Sequence, residues 1–325
     1  MSEVYFAKNM ETIIRKIDYS RLGEKVAIKV HFGEHGCNTY INPELVRQLF
    51  EKVKSLGKGV SLVECNVLYK GSRVNSTKHV KTAREHGFGM PIDILDGEHG
   101  NEFVDLHGCK VGKGIERYDS IIVLSHFKGH MAVGFGGAMK NLGMGLGSRA
   151  GKLDMHSSIK PSVNENCIGC GICVENCNDK AISIVHGKAK IDNQKCVGCA
   201  MCISVCNSGA VNIPWRGRTS HELQRKITEY CKALLDRFPS AIFINVLEKI
   251  TKECDCMGTS QKPLMPDIGI LYSNDIVAIE KASLDLVNKS SNGQFDGINS
   301  ADNNSQVEFA EKLGLGSSKY RLVEL

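Results

Sequence analysis

Residues 25–64, KVAIKVHFGEHGCNTYINPELVRQLFEKVKSLGKGVSLVE, decide the fold. The stretches 25–32 and 60–64 are apolar runs of strand length. Between them, 43–54 carries Leu45, Leu49 and Val53 at helical spacing, and Asn42-Pro43 supplies an N-cap and a first-turn proline. Strand, helix, strand is the repeating unit of a parallel sheet. The alternation continues outward with a helix over 77–86 and strands near 92–95 and 120–125. It resumes past Trp215 with a helix over 221–238 and strands at 241–247 and 268–271. A helix over 274–288, begun by a capping Asn or Ser, comes next, and a helix and strand at 308–313 and 320–323 close the pattern. The expected architecture is α/β with a mainly parallel sheet.

The chain has 325 residues, enough for about two structural units. Hydrophobic residues make up 42% and charged residues 24%, the profile of an ordinary globular chain. A net charge of +5, with no basic stripe, excludes nucleic acid as the expected partner. No apolar run approaches the ~18 residues of a membrane span. Glu3, Lys8, Glu11 and Arg15 interrupt the first 16 residues, so no signal-peptide core is expected there. A reducing, cytoplasmic setting fits this pattern.

Cysteine departs from the ordinary profile. Of 14 cysteines, eight fall between Cys167 and Cys206. Pro161 and Pro214 bracket that region, and α/β signals lie on both sides. The expected organisation is therefore a discontinuous host domain, 1–160 and 214–325, interrupted by a small insert at 161–213. Just before the insert, 134–151 holds seven glycines and reads as a helix with flexible loop ends.

Within the insert, Cys167, Cys170, Cys173 and Cys177 have the spacing C-x2-C-x2-C-x3-C, and Cys196, Cys199, Cys202 and Cys206 repeat it 29 residues later. The flanking residues repeat too, CIGCGICVENCNDKAI against CVGCAMCISVCNSGAV, so an internal duplication is visible. Three thiolates at i, i+3 and i+6 can offer three corners of a cube, and the fourth must come from a distance. Structural zinc, which favours separated cysteine pairs, and buried thiols are the alternatives.

The run resembles that of bacterial two-cluster ferredoxins, in which the fourth cysteine of each motif ligates the other cluster. The resemblance implies one [4Fe-4S] cluster on Cys167, Cys170, Cys173 and Cys206. It implies a second on Cys196, Cys199, Cys202 and Cys177, in a βαββαβ-type pseudo-twofold ferredoxin-like insert. Gly169, Gly171, Gly198 and Ala200 are small enough to let backbone N–H groups approach the sulfurs. The proline that usually follows the fourth cysteine is replaced by Asn178 and Asn207.

Three further blocks resemble the DUF362 family, whose biochemical role is unassigned. They are KVHFGEHGCNTYINPELVRQL (29–49), SHFKGHMAVGFGGAMKNLGMGLGSRAGKLDMH (125–156) and ITKECDCMGTSQKPLMPDIGILYSNDIVAIEKASLDLV (250–287). The resemblance implies an interrupted architecture and iron–sulfur clusters, and no particular reaction.

Chemistry-bearing residues of the host follow its strands: His31, Glu34, His35 and Cys37; Cys65 and Asn66; His126, Lys128 and His130; Cys254-Asp255-Cys256. In an open parallel sheet, ligands bind beyond the carboxyl ends of the strands. His126, Lys128 and His130 fit a general acid, a metal ligand or an anion clamp. Cys254 and Cys256, two residues apart in an extended segment, would face the same way beside Met257 and could hold a third metal or cluster. Lys140 and Arg149 in the glycine-rich block suggest an anion cradle, against a reading as mobile loop or close packing. His79, His86 and His186 are expected at the surface, and Cys231 in the core.

Two functions follow. One is an iron–sulfur oxidoreductase passing low-potential electrons through two [4Fe-4S] clusters to His126, Lys128, His130, Cys254 and Cys256. The other is a ferredoxin-like carrier or assembly protein whose α/β domain only docks a partner. A redox protein or a small-molecule substrate is the expected partner.

Overall fold

The computed structural model describes residues 1–215 and 217–325. The chain begins β1 (Ser2–Ala7), α1 (Met10–Lys16), β2 (Lys25–Lys29), α2 (Pro43–Ser55), β3 (Gly59–Glu64), α3 (Ser76–Glu85) and β4 (Ile92–Ile94). A hairpin of β5 (Phe103–Leu106) and β6 (Cys109–Gly112) leads to β7 (Ser120–His126), and a second hairpin follows, β8 (Lys128–His130) and β9 (Gly134–Gly136). A π-helical turn, Lys140–Met144, precedes α4 (Arg149–His156). Next come β10 (Ser162–Val163), α5 (Ile172–Glu175), β11 (Ile182–Val185), β12 (Lys188–Ile191), α6 (Met201–Val205) and β13 (Val211–Asn212). The last part holds α7 (Ser220–Arg237), β14 (Ile242–Leu247), β15 (Gly269–Ser273), α8 (Ile276–Ser290), α9 (Asn304–Lys312) and β16 (Tyr320–Glu324).

Eight strands form one sheet in the order β16-β1-β15-β14-β7-β2-β3-β4. The two pairings made by β15 are antiparallel and the other five are parallel. The sheet is thus mixed and mostly parallel, with helices on both faces. Its centre explains the unbroken apolar run of β7, because a strand covered on both faces has no polar side. Ile121 and Val123 enter one core with α7 and α8, and Ile122 and Leu124 enter the other with α1 and α2. The alternation is the period-2 geometry of a strand dividing two layers.

Several elements depart from the sequence expectations. The strand expected over 25–32 stops at Lys29, because the chain then turns through Gly33 (φ +77°) and Glu34 N–H bonds Asp255 O at 2.9 Å. The cap of α8 is Asp275, whose Oδ1 accepts from Val277 N and Ala278 N, both at 2.9 Å. Strand β1, paired between β16 and β15, has no counterpart in the sequence expectations; its partly buried, charge-bearing pattern carries little apolar signal. His79 is buried against Phe32 rather than exposed, since α3 turns His79, Thr82 and Ala83 inward. His86 is half-buried, stacked on Tyr40 at 4.2 Å, and His186 is exposed.

The glycine-rich block is almost wholly buried instead of loop-ended. A Cβ on Gly143 would lie 2.4 Å from Ile227 O, and one on Gly151 2.3 Å from Lys110 O. These glycines let the chain pack against α7 and β6. Over 162–212 the element order is strand, helix, strand, strand, helix, strand, and β10 pairs antiparallel with β13, so its two ends lie side by side.

Candidate functional site

The strands β14, β7, β2 and β3 are parallel neighbours, so their carboxyl ends open on the same edge of the sheet. The segments leaving them enclose a cavity of about 690 Å³. Its lining includes His31 and Glu34 after β2, Glu64 and Cys65 at the end of β3, and Lys128 and His130 on β8. Cys254, Cys256 and Met257 contribute from beyond β14. The π-helical turn adds Lys140 and Asn141, and Leu68, Tyr69, Lys152, His156, Trp215 and Arg218 complete much of the wall.

Asp255 organises the side nearest the thiols. Its carboxylate is buried, meets His126 Nδ1 at 2.8 Å and Lys128 Nζ at 3.4 Å, and accepts from Thr39 Oγ1 at 3.2 Å. Burial opposes its ionisation, yet His126 and Lys128 outweigh burial and hold the carboxyl below the usual range. His126 also reaches Glu248 O through Nε2 at 2.9 Å. It therefore stands behind the cavity wall and positions Asp255 rather than facing the space itself. Lys128, whose Nζ donates to His126 O at 2.9 Å, links this network to the cavity.

Cys254 and Cys256 come together for a different reason from the extended geometry expected. Cys254 is extended (ψ 149°), but residues 255–257 form a 3₁₀ turn that ends on Gly258 at φ +64°. The two Sγ atoms and a ring nitrogen of His130 lie within 4.8 Å of one another, a set able to hold a soft metal. Lys140 Nζ lies 3.8 Å from Cys254 Sγ. Hydrogen bonding within the thiol pair pulls Cys254 down, helped against burial by Lys140 and Lys128, and pushes Cys256 up. Ala132 N–H donates to His130 Nδ1 at 3.2 Å, which leaves the proton of the neutral ring on Nε2.

The adjoining wall, tied to the thiol segment where Tyr69 Oη meets Cys256 O at 3.1 Å, carries pairs that sequence reading did not single out. Glu34 bonds Ser72 N at 2.5 Å, Tyr69 Oη at 3.1 Å and Arg73 Nε at 3.3 Å. Arg73 also meets His31 Nε2 at 3.0 Å. Below them Lys29 pairs with Glu64 at 3.1 Å and with Asn141 Oδ1 at 2.6 Å, and burial draws its ammonium down to about 8. Lys29 and Glu64 sit inside apolar strands, which is the signal that could have found them, since strand-core charges require partners.

Other candidates lie elsewhere. His35 is exposed, Cys37 packs behind Asp255, and Asn66 is tied to Asp96 Oδ1 at 2.9 and 3.0 Å. Arg149 is no anion clamp: it is buried and donates to the carbonyls of His99, Leu68 and Val74. Cys109 and Cys231 are core residues.

The eight clustered cysteines surround two small recesses. Cys167, Cys170, Cys173 and Cys206 line one, and Cys177, Cys196, Cys199 and Cys202 line the other. Backbone N–H groups of Ala189, Ala181 and Ala210 donate to the Sγ atoms of Cys167, Cys177 and Cys206, each at 3.2 Å. Gly169, Gly171, Gly198 and Ala200 are all left-handed.

Comparison with known proteins adds a family. The family described as "Domain of unknown function (DUF362)" matches residues 26–285. No curated protein matches the chain. A Thermotoga maritima protein determined by a structural genomics consortium aligns at TM-score 0.38 and 8% identity, over 87% of this chain and 56% of that one. The lactate racemase apoprotein of Thermoanaerobacterium thermosaccharolyticum aligns at TM-score 0.35 and 12% identity, over 76% and 50%. The chain spans about half the length of these two solved structures.

Proposed function

We propose that this chain, which belongs to the DUF362 family, is an iron–sulfur oxidoreductase: two [4Fe-4S] clusters in residues 161–213 serve a reaction in the cavity at the sheet edge. The observation that carries the reading is the sorting of eight thiols into two recesses of four. Each recess takes three cysteines from one motif and its fourth from the other, the exchange that the bacterial ferredoxin pattern requires. The fit extends to the N–H donors on Cys167, Cys177 and Cys206, since hydrogen bonds to cluster sulfurs tune potential. Clusters in these recesses would supply low-potential single electrons.

The chain's own residues supply the rest. Leu68 and Lys70 line the cavity and also meet the insert: Leu68 packs in the insert's apolar cluster and Lys70 donates to Asn207 O at 3.1 Å. Asp255 holds Lys128 at the cavity edge, His130 offers a neutral ring, and Cys254 with Cys256 offers two thiols, of which Cys254 is the more acidic. A third metal on Cys254, Cys256 and His130 is the second reading of this corner, supported by their proximity. A docking-only host domain would have no use for a deep, thiol-bearing cavity, and this favours the enzyme over the carrier.

The test is anaerobic purification with iron, sulfide and EPR analysis. Cys170→Ser and Cys199→Ser should each remove or convert one cluster, and unchanged iron in both variants would sink the reading. The double change Cys254→Ala, Cys256→Ala should abolish reductive activity or lose a third metal while both EPR signals persist. Full activity and metal content in that variant would leave electron carriage as the better account.

A further inference from the structure

We infer that the cavity takes an organic anion, a carboxylate or phosphate ester on an apolar body, and that Lys140 holds its charge beside Cys254 and Cys256. This rests on the cavity being the reaction site and adds the class of substrate. Six cations line the space, Lys70, Arg73, Lys128, Lys140, Lys152 and Arg218, against two carboxylates, Glu34 and Glu64. Both carboxylates are occupied, Glu34 by Arg73 and Glu64 by Lys29. Lys128 is matched by Asp255 and Arg218 by Asp154. Lys152 spends two donors on Gly145 O and Gly147 O.

Lys70 is exposed and donates to Asn207 O at 3.1 Å, so among the described residues Lys140 is the lining cation bonded to neither a carboxylate nor a carbonyl. Among the described residues its Nζ meets no carboxylate within salt-bridge distance and has the Cys254 sulfur at 3.8 Å as its hydrogen-bond partner. Gly136 makes room for it: a Cβ there would stand 3.2 Å from Lys140 Cδ. After burial, the cations are the main cause that keeps His31, His130 and His156 neutral, with Lys140 acting on all three. An ammonium facing a partly desolvated space attracts an anion far more strongly than one in water.

The rest of the wall sets the body of the ligand. Leu68, Met144, Leu223 and Trp215 make much of it apolar. A volume of about 690 Å³ suits a small organic molecule rather than a bare inorganic ion or a polymer.

The experiment uses the anaerobically purified full chain and three probes on one scaffold: 2-naphthoate, 1-naphthyl phosphate and neutral 2-naphthalenemethanol. Calorimetry and quenching of Trp215, the sole tryptophan, measure binding. Maleimide labelling of the tryptic peptide 253–281, which holds Cys254 and Cys256 and no other cysteine, locates it. At least one anionic probe should bind one per chain, about tenfold tighter than the alcohol, and slow labelling of the thiols. Lys140→Met should weaken it about tenfold, and Lys140→Arg should restore most of the affinity. Equal binding of acid and alcohol, no binding of either anion, full affinity in Lys140→Met, or unprotected thiols would each overturn the inference. Iron and sulfide measured on the same samples keep the two questions apart. An iron-free chain that still binds the anion through Lys140 refutes the cluster reading alone. An iron-replete chain without charge preference refutes this inference alone.

Discussion

Glu280 shows how far a single residue can depart from what its neighbours suggest. It lies on α8 among IVAIEKASLDLV, yet its carboxyl is sealed in the core. Oε1 accepts from Ala138 N and from Asn245 Nδ2, the latter at 3.2 Å, and Oε2 has no partner. Burial pushes it up to about 7 against the pull of those hydrogen bonds. A carboxyl raised on folding adds stability that is full below its unfolded value, near 4.5, and is lost as pH rises through 7. Glu280→Gln should therefore be more stable than the parent at pH 8, on the order of 2 kcal/mol, with the difference vanishing near pH 4.5. Urea titrations across that range check it; a variant less stable than the parent at pH 8 would show the carboxylate is needed ionised. Helical periodicity gives no hint of this burial, because which face of α8 meets β14 is decided by the sheet. Lys29 and Glu64 differ: a charge inside KVAIKV or GVSLVE already asks for a partner.

At the scale of elements, the glycine-rich block separates composition from conformation. Seven glycines in 134–151 could mark mobility or close approach, and composition alone cannot rank them. The structure resolves the choice, since the π-helical turn Lys140–Met144 lies directly on α7. Gly143→Ala would force a methyl to within 2.4 Å of Ile227 O and 3.0 Å of Cys231 Sγ. The obstructing atom is helix backbone and cannot swing away, so a loss of about 1–3 kcal/mol is expected. Chemical denaturation measures it, and the same turn carries Lys140, so the loss should come with weaker anion binding. The repeated cysteine motifs behave in the opposite way. Their spacing is local, and tight loops at Gly169, Gly171, Gly198 and Ala200 could be read from residue size before any contact was known.

At the scale of the molecule, the two large cores contain no residue between Met155 and Leu223. Residues 182–211 build a separate small cluster that borrows Leu68 and Leu153 from the host. Ser162 stands opposite Asn212 in the β10–β13 pair, so the ends of the segment can be joined by a short linker. Replacing 162–212 with four Gly/Ser residues should leave the eight-stranded sheet folded, with cooperative unfolding and sheet-like circular dichroism. Exposure of Leu68 and Leu153 should cost on the order of 2 kcal/mol each. A chain that no longer unfolds cooperatively would show that the segment is part of the host's core.

The amino-acid sequence by itself determined the α/β alternation and the duplicated thiol motifs. Each is written in short-range spacing, where a 3.6- or 2-residue period or a C-x2-C-x2-C run has few alternative meanings. Strand ends after β2, β3, β7 and β14 were also legible as places where polar and thiol side chains gather. The partners of those residues were not. Arg73 against Glu34, Lys29 against Glu64, Asp255 between His126 and Lys128, and Lys140 without a carboxylate are facts of tertiary structure. They join residues 35 to 129 positions apart along the chain, and only packing the helices onto a sheet of fixed strand order brings them within reach. Charge compensation depends on distance in space, so the cavity cations without a carboxylate among the described residues, Lys70, Lys140 and Lys152, could be identified only once the pairs had been placed.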